Sequence, residues 1–321
     1  QAAQALLKTR GLDDSDSRAA TLVSHYSGNP LALKLVARTI QELFDSDIGA
    51  FLSDELPVFD DIRTVLDQQF MRLSELEREI LIWLAIEREA ASIQQLAANF
   101  VRPPSRRDLL EALRALQRRS LLEKTDAGFT LQNVVMEYVT ERVVEQCCRE
   151  VEYRSLNLFN SHALLKAQAA EYVRRSQIRL VLGQVAGRLV KTMGTEALAE
   201  RARELLDWLR ATAPLAPGYA AGNILNMLLH LGIDVSGYDF SQLCVWQAYL
   251  RGAYVPGISF ANSDLTGASF THILGQIQGL QFGPDGALLA LGLKDGMACV
   301  WDVREGVLLH TAPPRDLTNN Y

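Results

Sequence analysis

Residues 233–270 read IDVSGYDFSQLCVWQAYLRGAYVPGISFANSDLTGASF, and their spacing decides the fold. Every fifth position is apolar: Val235, Phe240, Val245, Leu250, Val255, Phe260, Leu265 and Phe270. A second row runs two residues earlier, through Ile233, Tyr238, Leu243, Ala248, Ala253, Ile258, Ser263 and Ala268. A period of five fits neither the 3.6-residue helix nor the two-residue strand. A fixed short period means stacked identical units. Each unit is expected to form one side of a square β-coil, with one large and one small residue pointing inward.

Upstream, the patterns are helical. Leu22, Val23 and Tyr26 precede a break at Ser27-Gly28-Asn29-Pro30, and an amphipathic helix follows from Leu31 to about Phe44. Pro30 suits a helix start, where its missing N–H would be unpaired anyway. On spacing alone this is a glycine-proline corner between packed helices. Four helical patterns then run over 62–70, 75–86, 93–100 and 107–119, the last with Leu109, Leu113 and Leu116 inward. Leu121 to Leu131, turning at Thr125-Asp126-Ala127-Gly128, reads as a hairpin. Asn133 is expected to cap a helix from Val134 to about Gln146. Helices followed by a small hairpin make a winged helix. Further helices are expected over 156–170, 178–193, 195–210 and 222–231.

Downstream of the ladder, four short strands alternate with turns at Gly283-Pro284-Asp285-Gly286, Lys294-Asp295-Gly296 and Gly306, the third ending in Trp301-Asp302. That is one blade of a β-propeller, with edges exposed because one blade cannot close a ring.

The 321 residues carry a net charge of −6 and 48% apolar content, enough for two or more domains with adequate cores. The acidic balance argues against a chain built as a whole for nucleic acid. Between Arg102 and Lys124, however, six Arg and one Lys face Asp108, Glu111 and Glu123, a net of about +4, and Arg107, Arg114 and Arg118 share one helical face. A DNA-recognition helix has this look, but base-reading side chains are sparse there and a solvated face is the commoner explanation. Four cysteines, with Cys147 and Cys148 adjacent, form neither a disulfide framework nor a zinc pattern, which points to a reducing cytoplasm. No apolar run is long enough to span a membrane, and no stretch reads as a signal peptide. His162 and His230 read as packed histidines. The phosphate loop, the dinucleotide glycine motif, the zinc-protease motif and the nucleophile elbow are all absent from the chain, so no catalytic or metal-binding residue is assigned and the chain is not expected to be an enzyme. Gln1 already lies inside a helical pattern and reads as the start of a fragment. The tail at Pro313-Pro314-Arg315-Asp316 reads as a real end or a foreign one.

The ordered series resembles a known arrangement. Gly28-Asn29-Pro30-Leu31-Ala32-Leu33 resembles the "GLPLA" motif of NB-ARC nucleotide-switch ATPases of the STAND class, and the winged helix sits where theirs does. Five-residue repeats followed by WD repeats resemble bacterial signalling proteins of that class. So do the runs Leu66-Asp67-Gln68-Gln69-Phe70, Ser120 to Lys124, Phe129 to Tyr138, Gly237 to Ser241 and Phe282 to Gly286. The resemblance implies that Pro30 lies against the adenine of ADP, with Gly28 allowing the close turn and Leu31 following. It places Leu131, Gln132 and Asn133 where the family has its "MHD" motif, whose histidine reaches the β-phosphate. Gln132 can donate a hydrogen bond there but cannot carry positive charge. Gly28, Pro30, Leu31, Gln132 and Asn133 are thus the candidate nucleotide-binding residues. With the phosphate loop and the magnesium aspartate absent, ADP or ATP is expected in the intact parent ATPase, not tightly on this chain.

The resulting expectation is multidomain: an all-α helical subdomain over 1–56 next to a nucleotide module, a winged helix over 61–150, an α-helical linker domain over 151–231, then all-β, with a pentapeptide β-coil over 232–271 and a single WD-repeat blade over 272–321. The expected partners are its own upstream nucleotide-binding module, a protein or small-molecule ligand on the propeller, and further copies when active. Neither nucleic acid nor membrane is expected. The rival readings are a winged-helix DNA-binding regulator and a non-enzymatic repeat scaffold.

Overall fold

The computed structural model describes residues 7, 12, 17–26, 30–53, 62–251, 253, 255, 257–270, 277–293, 298–304 and 307–312. Gly28, the Lys294-Asp295-Gly296 turn, Gly306 and the tail after 312 lie outside the described residues.

Helices α1 (Ser17–His25), α2 (Pro30–Leu43) and α3 (Ile48–Ser53) come first, followed by α4 (Ile62–Met71). Helix α5 (Glu75–Glu87) starts where the sequence supplies a reciprocal cap. The Ser74 hydroxyl accepts from the Glu77 N–H at 3.3 Å, and the Glu77 carboxylate accepts from the Ser74 N–H at 2.8 Å. Ser92 and Gln95 repeat the device at α6 (Ile93–Asn99). Ser105 caps α7 (Arg106–Arg118), which buries Leu109, Ala112, Leu113 and Leu116. The hairpin pairs β1 (Glu123–Thr125) with β2 (Gly128–Thr130). Phe129 then exchanges two 2.9 Å backbone bonds with Ala91, which stitches the hairpin to the segment before α6. Gly128 is required there: its φ is +141°, and a Cβ would lie 2.4 Å from the Ala91 carbonyl oxygen.

Helix α8 runs from Asn133 to Tyr153, longer than its apolar pattern suggested. Asn133 is its first helical residue, not its cap. Gln132 is the cap residue, with extended backbone (φ −64°, ψ 148°), and its side chain makes no capping bond. The boundary expected between 150 and 151 therefore falls inside a helix. The helix expected over 156–170 is confined to α9, Leu158–Ser161. The reason is the buried Glu150 carboxylate, which accepts from the N–H groups of Asn157, Leu158 and Phe159 at 2.9, 3.0 and 2.8 Å. A single carboxylate thus satisfies three orphan donors and fixes a turn in place of a long helix. The next helix begins earlier than expected. It comprises α10 (Glu171–Gln177), a π turn over Ile178–Leu182, and α11 (Gly183–Met193). Helices α12 (Thr195–Thr212) and α13 (Ala220–His230) complete the helical part.

In the ladder, parallel bridges join Asp239 to Ser259, Cys244 to Asp264 and Tyr249 to Ser269, each pair 20 residues apart. Four five-residue sides therefore make one turn. The corners have left-handed backbone at Gly237 (φ 76°), Gln242 (57°), Gln247 (60°), Gly257 (67°), Asn262 (57°) and Gly267 (71°), again every fifth residue or a multiple of it. Phe240 and Val245 are fully buried, and Phe260 stacks on Phe240 one turn later at 5.7 Å between ring centroids. Inward packing fades toward the end of the described coil, where Phe270 is half exposed.

One buried cluster runs continuously from Leu7 through the helices to Leu250. The coil is therefore packed onto the helices. Helix α13 is the contact element: it is buried from Ala220 to Leu228, and a Cβ on Gly222 would lie 1.9 Å from the Trp246 carbonyl oxygen. The final sheet is antiparallel in the order β3 (Ile277–Phe282), β4 (Leu288–Leu293), β5 (Ala298–Asp302), β6 (Val307–Ala312). It has a small cluster of its own, Leu291, Leu293 and Cys299, while Leu280, Phe282 and Leu309 stay exposed. Among the described residues, no helix is long and apolar enough to cross a membrane.

Candidate functional site

The proposed nucleotide contacts fall on two elements. Pro30 and Leu31 are the first two residues of α2, and their side chains lie outside the described set, as does Gly28 altogether. Gln132 and Asn133 meet at the start of α8. The Gln132 amide donates to the Glu123 carboxylate on β1 at 2.7 Å, so its donor is engaged across the hairpin base. Asn133 is exposed. Helix α2 packs on α4, and α4 on α8.

The quoted runs around Asp67 and Tyr138 do come together. The Asp67 carboxylate accepts from the Tyr138 hydroxyl at 2.5 Å and from the Arg142 guanidinium at 2.7 Å. The guanidinium also lies 4.7 Å from the centre of the Phe70 ring, a cation–π stack. Burial, then the bond to Asp67, raises the Tyr138 pKa well above its ordinary value, so the phenol remains a donor. This clasp ties α4 to α8. Farther along α8, the Arg88 guanidinium is 5% exposed and donates to the Thr140 hydroxyl at 2.8 Å. Its nearest carboxylate, Glu137, is 3.8 Å away, and Nε has no partner among the described residues. Burial lowers the Arg88 pKa, and Glu137 opposes that. Arg88 also has left-handed backbone, φ 61°, where it closes α5. Between α4, α8 and α11 lies a cleft of about 440 Å³ lined by Arg63, Leu66, Glu137, Glu141, Gln184 and Arg188. Its charges are mixed.

Amide and carboxylate side chains bind the helices to one another and to the coil. Buried Glu87 accepts from Asn99 and from the Lys166 ammonium, each at 2.6 Å. Gln177 donates to the Ile86 carbonyl and accepts from the Lys166 N–H, both at 2.9 Å. Asn226 donates to the Gln247 carbonyl at 2.9 Å and accepts from the Tyr249 N–H at 2.7 Å. The Trp246 indole donates to Asp264 at 2.7 Å. His162 is packed, as its sequence context suggests. Its ring lies 4.8 Å from that of Trp83, and burial lowers its pKa to about 4. Sequence reasoning missed Glu87, Gln177 and Asn226 because only the fold supplies their partners.

The basic face of α7 points away from the core. Arg107 pairs with Glu111 at 2.9 Å, while Arg114 and Arg118 are exposed with no ion pair among the described residues. The four cysteines are free and buried, and desolvation pushes the Cys148 and Cys244 thiols up to about 11. Among the described residues, no group of three His, Cys, Asp or Glu side chains could hold a metal ion.

No family model matches the chain. The chain is similar to a WD repeat-containing protein. That relative is an uncharacterized WD repeat-containing protein of Nostoc sp. (strain PCC 7120), 46% identical over 325 residues, or 90% of this chain. The chain spans 26% of the relative's length.

Proposed function

We propose that this chain is a regulatory portion of a bacterial STAND-class nucleotide switch. In this reading the helices up to α3 adjoin an NB-ARC module in the parent protein. The winged helix built from α4 to α8 closes over ADP through Gln132, and the pentapeptide coil carries WD repeats that take the incoming signal. The observation that carries the reading is the ordered series of motifs in the sequence; the similarity of 90% of the chain to a WD repeat-containing protein supports its repeat part. The Asp67–Tyr138–Arg142 clasp supports it by joining two of the runs that carry the resemblance. ATP hydrolysis belongs to the parent, and this chain alone is not an enzyme. A signal on the repeats acts only through different affinities for the closed and open states. The working site is the cytoplasm.

Thermal unfolding with ADP, ATP or neither tests this, on this chain and on a longer protein that includes a phosphate loop. ADP at a hundred times its Kd stabilises a specific binder by about 2.7 kcal/mol. The expected result is stabilisation of the longer protein only; stabilisation of neither defeats the proposal.

A second reading is favoured by the exposed apolar side chains of the final sheet, Leu280, Phe282 and Leu309, and by the WD repeat name of the relative. It is a scaffold that binds protein partners through its repeats. Its mark is partner capture by the full chain that is lost when Phe282→Asp and Leu280→Asp are combined.

A further inference from the structure

We propose that the hollow where α10 and the 162–170 loop meet the coil binds a small organic anion, a carboxylate or phosphate on a flat apolar body, through Arg174 and Arg251. The hollow measures about 620 Å³. Its wall includes Ala167, Gln168, Arg174, Arg251, Ser269 and Phe270, and no acidic side chain lines it among the described residues. Among the described residues, two cations thus line one hollow without a counter-charge, in a chain whose net charge is −6.

Arg174 is the stronger sign. It is only 8% exposed. One guanidinium nitrogen donates to the Ala169 carbonyl at 2.8 Å, and the group lies 4.4 Å from the centre of the Tyr249 ring. Among the described residues it forms no ion pair. A buried cation without an anion is costly, and a carbonyl and a ring face offset only part of that cost. The backbone that carries this ring is anchored in turn, because the Tyr249 N–H donates to the buried Asn226 side chain at 2.7 Å. The guanidinium is therefore backed by a ring on anchored backbone. Arg251, exposed on the coil and also without an ion pair among the described residues, faces the same hollow. The planar guanidinium matches carboxylate and phosphate oxygens in pairs, which an ammonium cannot do. The Ser269 hydroxyl has no partner among the described residues and adds a donor. The half-exposed Phe270 ring and Ala268 supply the apolar wall. The volume lies within the usual small-molecule range of about 300–1,000 Å³.

Calorimetric titration of the full chain with phenyl phosphate, benzoate and inorganic phosphate, each against chloride at equal ionic strength, tests the site. Saturable binding is expected for phenyl phosphate or benzoate, more weakly for inorganic phosphate. Arg251→Gln, at an exposed position, should leave melting in chloride unchanged and weaken binding about tenfold or more. Arg174→Lys keeps the charge but removes the fork, so it should weaken binding while retaining the fold. Phenyl phosphate binding over benzoate assigns the anion as phosphate, and the reverse assigns it as carboxylate. No saturable binding up to about 10 mM, or wild-type binding by Arg251→Gln, overturns the proposal. No nucleotide enters the titration, so its failure leaves the switch reading where it was.

Discussion

His162 shows how one buried residue sets a pH dependence. Its pKa is lowered to about 4 by burial against Trp83, while an unfolded histidine titrates near 6.5. Between those values the unfolded chain binds a proton that the folded chain does not. Stability therefore rises with pH from about 4 to 6.5 and is flat with respect to this group above that, a span of up to about 3 kcal/mol. Urea midpoints across that range should show the slope, and His162→Leu should flatten it; an unchanged slope means the group does not titrate as placed. At Arg142 the effect is smaller because the Asp67 pair is partly exposed. Arg142→Ala should cost about 1–2 kcal/mol through the lost ion pair and ring stack. In a double-mutant cycle with Asp67→Asn, measured by urea unfolding, additive losses would show that the clasp carries no coupling. The chain announced His162 as a packed histidine but gave no sign of its pKa, which depends on a ring contributed by α5. Asn133 misled for a related reason: a good capping residue type lies one position inside the helix, where the extended backbone of Gln132 makes that residue the boundary.

Among the elements, α13 and the coil are joined most tightly, and a glycine marks the junction. A methyl group on Gly222 would lie 1.9 Å from the Trp246 carbonyl, a contact that backbone cannot absorb cheaply. Gly222→Ala should therefore destabilise by about 1–3 kcal/mol despite the gain in helix propensity. Gly187 is the matched case, a helical glycine with open space around the built Cβ. Gly187→Ala should be neutral or stabilise by up to about 1 kcal/mol. Urea midpoints of the pair decide the matter, and equal shifts would refute the close approach. The coil's period was legible because stacking repeats one environment every five residues. Its corners were legible in part, since glycine recurs at 237, 257 and 267, whereas Gln242, Gln247 and Asn262 hold the same left-handed backbone without advertising it. The stretch 156–170 was illegible as a turn because the residue that ends the helix there, Glu150, lies on the preceding helix and acts through three backbone donors. The candidate site was legible only as positions: Gln132 was named, but its bond to Glu123 depends on the hairpin closing beside it.

Across the whole molecule, a series of separate units is what composition and period suggest, and a shared core is what folds. Local patterns report which face of each element is apolar; they do not report which neighbour covers it. The cluster from Leu7 to Leu250 crosses the boundaries expected near 150 and 231, because α8 runs through the first and α13 packs on the coil at the second. The final sheet differs, with three residues in its own cluster and large side chains left in water. Cooperativity should follow that division, since regions opening together are those sharing buried contacts. Native-state hydrogen exchange on the full chain is the measurement. The amides of Phe240, Val245 and Leu250, bonded to Ser259, Asp264 and Ser269, should exchange with the same opening free energy as those of α13. The amides of β3 to β6 should open at a lower free energy, and added urea should converge the first set before the second joins it. If the coil instead exchanges with the sheet while the helices stay protected, the coil is an independent unit, and the junction at Gly222 and Asn226 is a contact without energetic weight.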